Sequence, residues 1–171
     1  FNSNLYQTVF GTEIYNENNI KAGTGFSLST THVSTNSGSG TVTQGSIFAY
    51  GKMPVIQDYV LDGMASVGLS STDVSRNDPT ARTSLEGKGI RGNDVLFSAG
   101  ISRPFETEDV TISPYIRSTW QMVNQSSFDE GTTSAASLSV NSYSGQGVRG
   151  LIGISAGAKN KDPTVDEYTF K

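Results

Sequence analysis

The sequence predicts an all-β fold, an antiparallel meander of roughly eight or nine strands wound as a transmembrane β-barrel. Three observations carry that expectation. Apolar residues recur with a period of two rather than 3.6. Clusters of turn-forming residues interrupt the alternation at short intervals. The face opposite the apolar one is built of glycine and serine, not of the long charged side chains that solubilise an ordinary sandwich.

The clearest alternation runs over 110–122. Val110, Ile112, Pro114, Ile116, Trp120 and Met122 share one parity, broken at Ser118, against Thr111, Ser113, Tyr115, Arg117, Thr119 and Gln121. A strand sends these two sets to opposite faces. Ile20, Ala22, Phe26 and Leu28 likewise oppose Lys21, Gly23, Gly25, Ser27 and Ser29. Tyr59, Leu61, Ala65, Val67 and Leu69 oppose Asp62, Ser66, Gly68 and Ser70, with Val60 and Met64 blurring the second face. Val95, Phe97, Ala99 and Ile101 oppose Ser98, Gly100 and Ser102, and Val148, Ile152, Ile154, Ala156 and Ala158 oppose Arg149, Gly153, Ser155 and Gly157. Less regular strands are expected at 4–14, 41–53, 80–92 and 134–145, with another starting near Val165. Turns are expected at 16–19, 53–54, 76–79, 92–94, 107–109 and 161–163. Short connections make neighbours pair antiparallel. No segment reads as a linker or a second domain.

Composition narrows the function. Of the 171 residues 35% are hydrophobic, below the ~45–50% typical of globular domains, and 16% are charged, with 19 glycines. Disorder pairs low hydrophobicity with high net charge, and here the net charge is only −4. An acidic balance argues against nucleic acid as a partner. With no cysteine and the single histidine His32, disulfide scaffolds and zinc chemistry have nothing to work with. No cofactor or metal is expected. No run of about 18 apolar residues offers a transmembrane helix, but a barrel strand needs only ~9–11 alternating residues. The opening FNSNLYQTVF has no basic stretch or cleavage site, so the chain reads as a mature portion or an excised fragment.

In a barrel the small polar parity fills the interior and the apolar parity faces lipid. Closure also satisfies the backbone groups that hydrocarbon cannot. Tyr6, Phe10, Tyr59 and Trp120 are then candidates for interfacial girdles, and Ile112 and Ile116 for lipid contact. The charges on the other parity, Lys21, Asp62, Arg117 and Arg149, are candidates for the interior. A charge on the lipid face costs ~2–4 kcal/mol at mid-bilayer. They would pair to hold strand register, or contact a segment threaded through the pore.

Other motifs read blandly. Gly87-Lys88-Gly89-Ile90-Arg91-Gly92 has dinucleotide-binding spacing, but a strand rather than a helix follows it. There is no GxSxG elbow. His32 is expected to be exposed, and Asp129-Glu130, Glu106/Glu108/Asp109 and Asp166-Glu167 to be solvated loop charge rather than acid–base or calcium sites. No catalytic set can be assembled.

The stretch VTISPYIRSTWQMVNQSSFDEGTTSAASLSVNSYSGQGVRGLIGISAG, residues 110–157, resembles the autotransporter β-domain of Gram-negative bacteria. Its markers are Ser113-Pro114-Tyr115-Ile116, the run from Gln125 to Gly131, Leu138-Ser139-Val140 and Arg149-Gly150-Leu151-Ile152-Gly153. YVLDGMASVGLSSTDVSR and FGTEIYNENNIKAGTGFSLSTT look like family strands and an opening hairpin. The resemblance implies an outer-membrane translocator of type V secretion that exports an N-terminal passenger and performs no catalysis. The partners it implies are that passenger, the barrel-assembly machinery, periplasmic chaperones and outer-membrane lipid. Family β-domains have about twelve strands, end on an aromatic residue and follow a pore-threading helix. Here Tyr168-Thr169-Phe170-Lys171 ends on lysine, so residues 1–171 are read as a partial translocator domain. The alternatives are a soluble secreted β-sandwich adhesin and a complete eight-stranded outer-membrane barrel.

Overall fold

The structure, a computed structural model, describes residues 2–56, 58–78, 83–131, 137–158 and 169–170. Six long strands dominate: β1 (Asn2–Glu17), β2 (Ile20–Thr35), β3 (Gly38–Pro54), β4 (Val60–Asp78), β5 (Thr83–Ser102) and β7 (Val110–Gln125). A seventh, β10 (Tyr143–Ala158), follows. Short pieces complete the set: β6 (Phe105–Glu106), β8 (Phe128–Asp129), β9 (Ser139–Val140) and β11 (Thr169–Phe170). The sheet order is β1-β2-β3-β4-β5-β7-β10-β11, with β6 beside β7 and β8-β9 a separate hairpin. Every pairing is antiparallel and the long strands pair in chain order, so the fold is a meander. Among the described residues β1 and the last strands are not paired with each other, and the one further sheet is the two-stranded β8-β9, not the extended second layer of a sandwich.

Turn chemistry sets the register. Asn18 and Asn19 carry φ of 52° and 63°, the paired left-handed residues that match a two-residue hairpin to strand twist. In the 55–59 loop Val55 N–H donates to the Tyr59 carbonyl and Tyr59 N–H to Ile56, each at 2.9 Å, with Asp58 at φ 69°. Thr107 closes the next turn on that end, its hydroxyl donating to the Val110 carbonyl at 2.9 Å.

Several expected boundaries move. Met53 and Pro54 pair with Leu61 and Val60, and Arg76, Asn77 and Asp78 with Leu85, Ser84 and Thr83, so both expected turn stretches belong to strands over these residues. The turn at 92–94 does not exist, because 83–102 form the single strand β5 with β4 paired along it. Gly92 and Asp94 are small or partnered enough to stay in the ladder between β4 and β7. The strand expected at 134–145 is instead the short β9 followed by the start of β10, and 132–136 lie outside the described residues. So do Pro79, the turn at 161–163, the Asp166-Glu167 pair and the strand start at Val165.

Register makes the two faces explicit. Across β2 to β7 the rows Phe26–Ile47–Val67–Val95–Met122 and Thr24–Ala49–Ala65–Phe97–Trp120 share one face. Gly23–Tyr50–Met64–Ser98–Thr119 and Ser27–Ser46–Gly68–Asp94–Val123 share the other. The apolar face is the exposed one: Val67 is 50% exposed, Leu69 73% and Ile152 81%. Buried residues, among them Asp94 and Ser98, belong to the polar face. This is a soluble protein's arrangement turned inside out.

Candidate functional site: the polar face and its charged groups

Glycine gives the polar face its depth. A Cβ on Gly25 would lie 2.5 Å from the Phe48 ring, and one on Gly153 2.6 Å from the Tyr115 hydroxyl, so aromatic rings lie flat across the neighbouring strands. Elsewhere polar side chains reach across the gaps. Gln44 Nε2 donates to Asp94 Oδ1 at 2.6 Å above Gly68. Ser27 and Ser46 hydroxyls meet at 2.7 Å, and Ser98 and Thr119 at 3.0 Å. No buried side-chain nitrogen or oxygen among the described residues is left without a partner.

All four predicted charges stand on this face, but they do not form one cluster. Asp62 and Arg117 are brought together in an ion pair lying over Gly100, two strands apart. Lys21 pairs instead with Glu13 on β1, at 3.7 Å. Arg149 lies opposite Thr119 and makes no ion pair among the described residues. Lys52, which the sequence reading did not single out, stands between Lys21 and Asp62 in the same row. With Asp58 and Glu106 at the near rim, Lys21 and Lys52 line a cavity of about 620 Å³.

The aromatic candidates lie on the apolar face. Tyr6 is 70% exposed and has only Asn4 and Asn2 beyond it on its parity. Trp120 stacks on Phe97 at 5.8 Å near the end of the apolar run of β7, before Asn124. Tyr59 marks the opposite end, next to the 55–59 loop. Phe10 stacks on Phe26 at 5.0 Å on the same face. Ile112 and Ile116 are exposed on the same face.

Above the apolar run, β4 and β5 continue as a polar extension. There Glu130 is a buried carboxylate rather than solvated loop charge, 6% exposed. Arg76 grips it with Nε at 2.7 and 2.9 Å and Nη2 at 2.6 Å, and the Leu138 N–H donates to it at 3.1 Å. The Arg76 hydrogen bonds, followed by the Leu138 N–H, outweigh burial and lower the Glu130 pKa below the ordinary glutamate value. A Cβ on Gly87 would lie 2.6 Å from the Phe128 ring, and Leu85 and Ile90 are buried on that face. Gly89, at φ 63°, forms a bulge here, so the GxGxxG run belongs to a strand. The 54-residue separation of Arg76 from Glu130 left no local signal in the sequence.

His32 is exposed within β2 and shares a hydrogen bond of 3.0 Å with Thr41. No three His, Cys, Asp or Glu side chains among the described residues form a metal-sized group.

Known proteins share this arrangement. The family model of the autotransporter beta-domain matches residues 1–166. The translocator domain of the autotransporter NalP from Neisseria meningitidis superposes with a TM-score of 0.82 at 21% identity, over 91% of this chain and 54% of that one. The beta domain of the Bordetella autotransporter BrkA superposes with a TM-score of 0.67 at 14% identity, over 95% of this chain and 65% of that one. The chain thus spans about half the length of the first structure. No match is found among curated protein sequences. The chain belongs to the autotransporter β-domain family, outer-membrane proteins of Gram-negative bacteria.

Proposed function

We propose that this chain is part of a non-catalytic translocator that anchors an N-terminal passenger in the outer membrane and exports it to the cell surface. The observation that carries this reading is the inverted dressing of the sheet. On β4 the apolar parity runs over 61–69 and ends on the exposed Val67 and Leu69. At ~3.3 Å per residue and a ~40° tilt that covers roughly 20 Å along the membrane normal, close to the ~25 Å apolar belt of an outer-membrane barrel. Ile112, Ile116 and Phe10 then lie in hydrocarbon, with Tyr6, Tyr59 and Trp120 at its borders. Lys21, Asp62, Arg117 and Arg149 face the hydrated interior.

The ends differ as the two sides of an outer membrane do. One end has the turns at 18–19, 55–59 and 103–109; the other has the polar extension and the 126–142 connection with its β8-β9 hairpin. Short turns face the periplasm and long loops the exterior. Asp62–Arg117 holds register, whereas Lys52 and Arg149 are left to meet the segment that leads to the passenger. The work is folding and insertion, with assembly machinery, chaperones and lipid as partners.

The test is to express the intact parent gene in a Gram-negative host. We expect a passenger epitope to be cleaved by protease added to whole cells, and the β-domain to migrate differently on gels before and after boiling. A passenger that stays protected while the β-domain is inserted would overturn the export role.

A further inference from the structure

The apolar face carries a cation at a telling place. Arg103 follows β5 on the parity of Phe97, Ala99 and Ile101, and its backbone N–H donates to the Pro114 carbonyl at 3.2 Å. Its guanidinium carbon lies 5.4 Å from the centre of the Tyr59 ring and 5.0 Å from that of Phe105. Phe105 pairs with Ile112, which fixes both as residues of the apolar face. Arg103 is exposed and makes no salt bridge among the described residues. Of the acids in the two adjoining loops, Asp58 and Glu106 line the cavity on the opposite face with Lys21 and Lys52. An arginine whose guanidinium lies beside two rings and makes no salt bridge among the described residues sits where the apolar run ends.

We propose that Arg103, clamped by Tyr59 and Phe105, binds the phosphodiester of a glycerophospholipid headgroup in the periplasmic leaflet; this rests on the membrane reading above. The chemistry matches. A guanidinium offers forked donors to two phosphate oxygens, and aromatic rings belong at headgroup depth. Cation–π contacts hold the fork in place without consuming its donors. Among the described residues Arg103 is the one cation on the apolar face at this end, which suits a single phosphodiester rather than a headgroup bearing several phosphates.

The parent protein, purified in non-ionic detergent, is titrated with dioleoylphosphatidylglycerol and bound lipid is counted by native mass spectrometry. One lipid is expected to be retained per chain. Arg103→Gln should weaken retention about tenfold, Arg103→Lys less, and Tyr59→Ala or Phe105→Ala by about threefold. Digalactosyldiacylglycerol, with the same kind of tails and no phosphate, should show no difference between wild type and Arg103→Gln. Equal phosphatidylglycerol retention by wild type and Arg103→Gln overturns the proposal, as does preference for lipid A or displacement by millimolar inorganic phosphate. Insertion into vesicles is scored on the same samples. A chain that inserts but shows no Arg103 dependence leaves the membrane reading standing, and one that stays in solution without detergent sinks both.

Discussion

Strands β4 and β5 pass through two regions that follow opposite rules. Over 61–69 of β4 the apolar parity of Leu61, Ala65, Val67 and Leu69 shares the outward face, with Val67 and Leu69 exposed, while glycine, serine and hydrogen-bonded pairs stand on the other face. Ten residues on, the same strands behave like an ordinary water-soluble protein. Ser71 and Ser75 take the parity that Val67 and Leu69 held, and the polar parity now buries Leu85 and Ile90 under the β8-β9 hairpin. The solvent changes and the dressing changes with it. Hydrocarbon rewards an apolar exterior, whereas water rewards burial of the same side chains. Backbone pairing is indifferent to the switch and continues through it.

A charge placed on the same parity in each region separates them most sharply. Val67→Arg should cost ~2–4 kcal/mol of barrel stability in vesicles, and Ser71→Arg within ~0.5 kcal/mol of nothing. Denaturant titration of the two variants side by side reads the difference. Equal effects would dissolve the boundary between the regions.

Packing gives the next contrast. Gly25→Ala drives a methyl into the Phe48 ring and the backbone of Phe10, and should cost about 1–3 kcal/mol. Gly150→Ala, on the apolar face with no atom within 4 Å, should cost less than ~0.5 kcal/mol. The same unfolding measurement checks both.

In the extension, Glu130→Gln removes the charge that Arg76 and the Leu138 amide hold. Protease cleavage within 126–142 should quicken about tenfold while the melting of the barrel stays put. Acid should do the same to the unaltered protein. Because the folded Glu130 pKa is lowered, its contribution is complete above the ordinary glutamate value of about 4.5 and is lost as the pH falls through the lower folded value. Faster cleavage at pH 4 than at pH 7 in the wild type, absent in Glu130→Gln, is the expected pattern. The smallest effect belongs to the half-exposed Asp62–Arg117 pair, where Asp62→Asn should cost only about 0.5–1 kcal/mol.

How much of this was legible in the sequence follows the same division. The apolar run was readable because one environment acts on every second residue, so 110–122 and 148–158 announced their faces through parity alone. The extension was not, since its alternation is polar on one side and sparse on the other. There the meaning of Glu130 depends on Arg76, brought beside it by topology. The false turn at 92–94 has a physical cause as well. Gly-Asn-Asp is turn chemistry in isolation, but between two paired strands the ladder decides, and Asp94 finds Gln44. Arg103 escaped notice because its partners, Tyr59 and Phe105, come from separate loops.

The absence of cysteine from these 171 residues makes the central claim directly testable. Single cysteines placed at each position from 61 to 78 of the parent protein, in native outer membranes, are labelled with an environment-sensitive fluorophore and challenged with brominated lipid and with a water-soluble quencher. Odd positions from 61 to 69 should be quenched from the lipid and even ones from water, and from Ser71 onward both parities should lose contact with lipid. Water quenching of both parities over 61–69, or lipid contact on the even set, would contradict the inside-out barrel.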